Sequence, residues 1–242
     1  MKRGMDLPAL VPGRLVRRYN RFLADVALET GEIVVAHCAN PGSMMGLSAP
    51  GNRVHLALSD DPGRKLRHSW KLVEVDFGWR GPQLVSIDTT HPNRLAEEAI
   101  RAGRIASLSG YATLRREVRY GASSRIDLLL EDAAGGRTYV EVKNVHLMRR
   151  PGLAEFPDCV TSRGAKHLGE LAAMVREGHR AVMLYVVQME AERFALAGDL
   201  DPAYARAFAI ARAAGVEMLC HACAVTTEAI TLDGPIPIVD LA

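Results

Sequence analysis

From about residue 12 to residue 80, apolar and polar positions alternate in short runs, and no long stretch shows helical spacing. The runs Gly13–Arg18, Phe22–Leu28, Ile33–Cys38, Arg53–Ser59 and Trp70–Phe77 predict five β-strands. Turn-forming residues separate them: Glu29-Thr30-Gly31 reads as a hairpin, Asn40-Pro41-Gly42-Ser43 as a loop, and Ala49-Pro50-Gly51-Asn52 and Asp60-Asp61-Pro62-Gly63 as turns. Five short strands suit a small closed barrel, with the OB-fold as the leading architecture and a barrel that merely packs as the alternative.

Past Gly81-Pro82 the period changes. Leu95, Ala96, Ala99 and Ile100 recur at helical spacing in a helix from Arg94 to Ala102 that Gly103 ends. Strands are predicted at Ala112–Tyr120, Arg125–Glu131 and Thr138–Val145. A helix around Arg163–Glu177, a buried strand Ala181–Val187, a helix from Pro202 to Ala214 and a last strand near Val216–Ala224 follow. Helix, three strands, helix, strand, helix, strand describes an α/β or α+β unit built on a mixed sheet. The chain is thus expected to divide into residues 1–82 and 83–242. It shows no internal repeat and no low-complexity tract.

The most informative segment is the hairpin SRIDLLLEDAAGGRTYVEVKNV, with its turn near Ala133-Ala134-Gly135-Gly136. Folding it back sets Asp127 opposite Glu141 to within one residue. Alternation sends Ile126, Leu128, Leu130, Val140 and Val142 to a core face and Asp127, Glu141 and Lys143 to the other. Facing carboxylates repel unless a cation lies between them. Hard oxygen ligands with no cysteine or histidine cluster nearby favour Mg²⁺ or Mn²⁺ over zinc. Lys143 is then placed to hold or deprotonate a water and to stabilise charge on a phosphoryl oxygen, chemistry that suits phosphodiester hydrolysis. Glu98, beside the apolar stripe of the first helix, is a further acid to aim at the cluster. An ordinary hairpin with one wet face is the competing reading. Against it, only five of the 30 basic residues are lysines, so this chain rarely uses lysine for solubility alone.

Here the sequence resembles a known family. The blocks RYNRFLADV, GEIVVAHCANPGSMMGL, HPNRLAEEAI, SRIDLLL, YVEVKNV and FPDCVTSRGAKHLGEL are similar, in the same order and over nearly the whole chain, to those of the sugar fermentation stimulation protein A family. The resemblance implies an N-terminal OB-fold and a C-terminal domain like the PD-(D/E)xK restriction-endonuclease-like nucleases, with DNA binding and an inferred nuclease activity. It matches Asp127 and Glu141 to the two acids of that motif, Lys143 to its lysine, and Glu98 to the acid of the first core helix. Ile126 stands where the motif has proline. The metal needs the carboxylate rather than the proline, so the departure leaves the ligand set whole.

Charge and composition narrow the partner. The chain of 242 residues is 48% hydrophobic, and its net charge of +2 conceals an asymmetry. Residues 187–242 carry eight acids against three arginines, whereas the first 21 residues hold six bases and one acid. A polyanion site therefore belongs outside the last quarter. Arg17, Arg18, Tyr19, Arg21 and Phe22 mix bases with aromatics as an OB-fold does to follow a phosphate backbone, with Phe22 assigned to the core. The Asn40–Met45 loop serves as a ligand contact or as a tight barrel turn. Arg64 and Lys65, with Arg67, add charge nearby. Arg163, Lys166 and His167 share the first turns of a helix whose start favours an anion, and are read as phosphate contacts rather than a solvated basic face.

Nucleic acid, DNA ahead of RNA, is the expected partner, with a homodimer left open. A non-catalytic DNA-binding regulator of sugar-metabolism genes on a nuclease-like scaffold is the alternative function. The longest apolar run has seven residues, and the N-terminus lacks a signal pattern, so a soluble cytoplasmic protein with no membrane partner is expected. Cys220 and Cys223, three apart on a strand, point to opposite faces and make no metal site. All four cysteines are expected reduced, with Cys38 and Cys159 buried like the other two.

Overall fold

The computed structural model describes residues 4–121 and 124–240. Lys2 and Arg3, part of the basic N-terminal count, lie outside them. The chain begins with β1 (Met5–Asp6), β2 (Leu10–Tyr19), β3 (Leu23–Leu28), β4 (Ile33–Cys38), β5 (Arg53–Leu58), β6 (His68–Asp76) and β7 (Pro82–Ser86). Strands β2 to β6 are the five runs of the alternating pattern. Their order β4-β3-β2-β5-β6 is closed by a parallel pairing of β4 with β6, Ala36 to His68 through Cys38 to Trp70, giving a five-stranded OB barrel. Bulges between Leu15 and Arg17 and between His55 and Leu56 supply the bend that closure needs. Leu15, Val26, Ala36, Val54, Leu56 and Trp70 fill the interior, and the Trp70 indole donates to the Leu72 carbonyl at 2.9 Å. The barrel sheet continues past residue 82, because β7 pairs with β6.

The second unit contains α1 (His91–Arg101), β8 (Thr113–Tyr120), β9 (Ser124–Glu131), β10 (Arg137–Val145), β11 (Leu147–Arg150), β12 (Leu153–Phe156), α2 (Ser162–Arg176), β13 (Arg180–Val187), β14 (Arg193–Leu196), α3 (Pro202–Ala213), β15 (Glu217–Val225) and β16 (Ala229–Pro235). Seven strands form a mixed sheet in the order β1-β16-β15-β13-β10-β9-β8. The apolar run Ala181–Val187 becomes β13, parallel to both neighbours and buried on both faces. Leu95, Ala96, Ala99 and Ile100 of α1 cover one face, against Leu128, Leu130, Val140, Val142 and Leu184. Leu168 and Leu171 of α2 and Tyr204 and Phe208 of α3 cover the other, against Leu129, Tyr139, Met183 and Tyr185. Both faces of the β9–β10 hairpin are thus covered, so it has no wet side.

Several elements escape the sequence pattern: β1, β7, β16 and a small sheet, β11-β12-β14. Cys220 lies in one core and Cys223 in the other, as opposite strand faces require. Cys159 is exposed rather than buried, because it sits in the loop before α2 and not in a strand. The described cysteines are all free. No helix among the described residues is long and apolar enough to cross a membrane.

Polar joints fasten the barrel to the second unit, two of them buried or partly buried. Asp158 accepts from the Met44 amide at 3.0 Å and the Ser43 hydroxyl at 3.1 Å, and lies 3.3 Å from His146 Nε2. A β-carbon on Gly42 would stand 2.8 Å from the Asp158 carboxylate, so only glycine permits this approach. At the other joint the Ser86 amide donates to the Gln188 carbonyl at 2.9 Å, and Gln188 Nε2 donates to Asp88 O at 3.0 Å.

Candidate metal centre and nucleic-acid surface

The β9–β10 turn closes on Asp132, whose carboxylate accepts from the amides of Ala134 and Gly136, both at 2.8 Å. The turn fixes the register from Arg137–Glu131 to Val140–Leu128. The next step sets Glu141 opposite Asp127, and there the ladder breaks. Asp127 Oδ2 accepts the Val142 amide at 2.8 Å, so a side chain replaces the neighbouring strand's carbonyl. Asp127 Oδ1 accepts from Asn93 Nδ2 of α1, also at 2.8 Å. Burial first and the charge of Glu141 second push the Asp127 carboxyl up to about 6, with the bonds from Val142 and Asn93 limiting the rise.

Glu141 is 2% exposed. Its Oε1 accepts from Lys143 Nζ at 2.7 Å and from His167 Nδ1 of α2. Burial alone would raise this carboxyl, but the hydrogen bond from His167 and the charge of Lys143 outweigh it and hold the group below its ordinary value. Arg163 Nε donates to the other His167 nitrogen at 3.3 Å, which fixes the ring between guanidinium and carboxylate. Glu141 Oε2, in contrast, is buried with no hydrogen-bond partner among the described residues.

Two further groups, which the sequence pattern did not single out, lie beside the pair. Glu170, one turn beyond His167, accepts the Ser124 hydroxyl at 2.7 Å, and its second oxygen is also buried without a hydrogen bond. The Tyr120 hydroxyl is pushed well above its ordinary range by burial and then by the charges of Glu141, Glu170 and Asp127. Helical spacing from Lys166 and His167 was the available signal for Glu170; nothing local marked Tyr120.

The structure brings Asp127, Glu141 and Lys143 together but turns Glu98 elsewhere. The Glu98 carboxylate is held by Arg104, and Asn93 is the α1 residue that reaches Asp127. Positions five apart on a helix lie about 140° apart around its axis, so one helix cannot aim both at the same point. His167 is buried under Glu141 rather than presented to solvent as a phosphate contact. Arg163 is exposed at the start of α2, where Thr161 caps the helix by accepting the Gly164 amide at 3.1 Å; Lys166 is exposed and pairs with Glu170 at 3.5 Å.

On the barrel, Arg17 pairs with Asp25 at 2.7 Å and lies over the Tyr19 ring, whose hydroxyl donates to Asp25 at 3.0 Å. Arg18 is spent on backbone: its guanidinium donates to the carbonyls of Arg21, Asn40, Gly42 and Ser43 at 2.8 to 3.2 Å. Arg64 donates to Ser69 at 2.8 Å, while Arg21 and Lys65 are exposed. Phe22, assigned to the core by its run, is 48% exposed, because β3 starts one residue later and leaves it in the turn.

No group of three or more His, Cys, Asp and Glu side chains in metal-holding geometry occurs among the described residues. Two carboxylates, one with an uncommitted buried oxygen, nevertheless fit Mg²⁺, which keeps several waters and takes one or two carboxylates with substrate phosphate.

A closed OB barrel joined to a mixed sheet that carries an acid-acid-lysine cluster defines the class: an OB-fold followed by a restriction-endonuclease-like domain. Residues 16–87 match the model of the SfsA N-terminal OB domain, and residues 90–229 match that of the sugar fermentation stimulation protein RE domain. The chain is 58% identical over 229 residues to a sugar fermentation stimulation protein homolog of Azorhizobium caulinodans, covering 94% of this chain and 96% of that one. It is 57% identical over 230 residues to the homolog of Methylobacterium nodulans, covering 95% and 97%. Among solved structures it is similar to that of Pyrococcus furiosus SfsA in complex with Ca²⁺, with a TM-score of 0.86, 27% identity, and coverage of 99% of this chain and 100% of that one. The chain belongs to the sugar fermentation stimulation protein family.

Proposed function

We propose that the chain binds nucleic acid, DNA foremost and RNA as well, and hydrolyses phosphodiester bonds with Mg²⁺ or Mn²⁺ held by Asp127 and Glu141. The observation that carries this reading is the buried Glu141 Oε2, without a hydrogen-bond partner among the described residues, beside a second carboxylate whose proton affinity is raised by burial and then by Glu141 itself. A buried ionised oxygen left without a partner is costly, and a hard cation removes the cost. The Ca²⁺ complex of the Pyrococcus furiosus relative supports a divalent ion in this fold.

Once bound, the ion would lower the pKa of a coordinated water and polarise the phosphoryl oxygen. Lys143, fixed by Glu141, positions the attacking water and stabilises charge on the phosphoryl group. His167 orients Glu141, and Arg163 at the head of α2 contacts an adjacent phosphate. Glu98 has no part in this arrangement, since Arg104 holds it.

A second reading, a DNA-binding regulator without catalysis, is favoured by one observation: Lys143 and His167 already compensate Glu141 Oε1, so the cluster can stand as a scaffold. Incubating single- and double-stranded DNA and RNA with the protein in Mg²⁺, Mn²⁺ or chelator separates the two. Metal-dependent cleavage by the parent that disappears in Lys143→Ala supports hydrolysis. Equal cutting by both proteins points to a contaminating nuclease, and binding without any cutting favours the regulator.

A further inference from the structure

Three exposed apolar side chains lie on segments that meet where the barrel joins α2. Phe22 is 48% exposed, Met45 41% and Val160 73%, and they come from three separate segments. Hydrogen bonds join those segments. Arg18 binds the Arg21 carbonyl and the Ser43 carbonyl with one guanidinium. Ser43 bonds to Asp158, and the Met45 amide donates to the Ser43 hydroxyl at 3.3 Å. Arg21 lies close enough to Cys159, the neighbour of Val160, for its charge to act on the thiol.

The support is stiff. Asn20 and Arg21 take φ of 50° and 61°, a turn of non-glycine residues whose carbonyl Arg18 clamps. Basic groups flank the apolar patch: Arg21 forms no ion pair among the described residues, and Arg163 lies three residues after Val160. Arg163 in turn touches His167, which touches Glu141.

We infer that this seam is the bed of a single-stranded stretch of nucleic acid, whose unpaired bases lie on Phe22, Met45 and Val160 and whose phosphates follow Arg21 and Arg163 toward Glu141 and Lys143. The inference rests on the nucleic-acid reading above and adds strandedness to it. A duplex hides the flat faces of its bases in the stack and presents sugar, phosphate and base edges. Apolar and aromatic side chains gain most from bases whose faces are free. A purely electrostatic track would have no use for them.

Fluorescence anisotropy in chelator, which excludes cleavage, tests this with labelled oligo-dT and a duplex of equal length. The parent is expected to bind oligo-dT more tightly. The triple variant Phe22→Ser, Met45→Ser, Val160→Ser should lose about tenfold or more for oligo-dT while duplex affinity stays within about twofold. Val160→Glu, at a loop position that cannot disturb the core, should weaken oligo-dT binding on its own. Variants that bind oligo-dT like the parent, or lose both ligands alike, overturn the inference. A parent that binds only duplex overturns it and leaves the proposed function standing, whereas a parent that binds neither ligand removes both.

Discussion

Two buried acids in this molecule are surrounded by the same kinds of group and end in different states. Asp88, 2% exposed, sits between the barrel and α1 with Lys71 at 2.5 Å and His91 at 3.4 Å on one oxygen, and with the Thr90 amide and hydroxyl at 2.9 and 2.7 Å on the other. Glu141, equally buried, has Lys143 and His167 on one oxygen and no hydrogen-bond partner among the described residues on the other, and lies near a second carboxylate. Satisfied on every side, Asp88 is a joint. Glu141 has binding capacity to spare, which a structural acid has no reason to keep.

That contrast is open to direct attack. The largest effect is expected in cleavage: Lys143→Ala, assayed where the variant is still folded, should lose about a thousandfold in rate, the scale of a charge-stabilising or proton-handling group, with a smaller stability loss than at the joint because His167 still pairs with Glu141. Asp88→Ala should do the reverse, costing about 4 kcal/mol in denaturant unfolding by stranding Lys71, with cleavage retained below the melting temperature. If both variants lose activity in proportion to stability, the two acids do the same job.

A pH series isolates the joint. Burial lowers His91 from 6.5 to about 4, against the pull of Asp88. At His91 the unfolded chain therefore binds the extra proton between these values, so this residue's contribution to stability is full above about pH 7 and is lost as pH drops toward 4, by up to about 3 kcal/mol, while Asp127, raised to about 6, titrates in the same window with the opposite sign. His91→Gln should flatten that slope; an unchanged slope would place the titration elsewhere. The smallest effect concerns α2: Thr161→Ala removes the cap from the helix that carries His167 and should cost about 1 kcal/mol by chemical denaturation.

Legibility in the sequence followed the range of the forces involved. The five barrel strands were readable because alternation and turn residues act locally. So was the hairpin register that brings Asp127 and Glu141 near one another, because a short turn fixes it, although the ladder itself ends at Val140 and Leu128. The four-residue strands β11, β12 and β14 were not readable: each is too short for alternation to register, and β12 finds β14 only about 40 residues further along the chain. Phe22 shows a limit of pattern reading: one residue beyond a strand end, it inherits no face. His167 shows another, because helical spacing groups it with Arg163 and Lys166 but does not say which of them the sheet will cover. For the helix α1, acid chemistry pointed to Glu98, whereas the rotation of the helix on the sheet delivered Asn93. The resemblance to a family named the ligand set; only packing could show which oxygen of Glu141 remained free.

The most direct test is anomalous diffraction at the manganese edge from crystals grown with Mn²⁺, for the parent and for Asp127→Asn. The parent should show a strong peak at the Asp127 and Glu141 carboxylates, and the variant should lack it. A parent crystal with no peak there, and with Glu141 Oε2 instead hydrogen-bonded to protein, would contradict a metal centre at these acids.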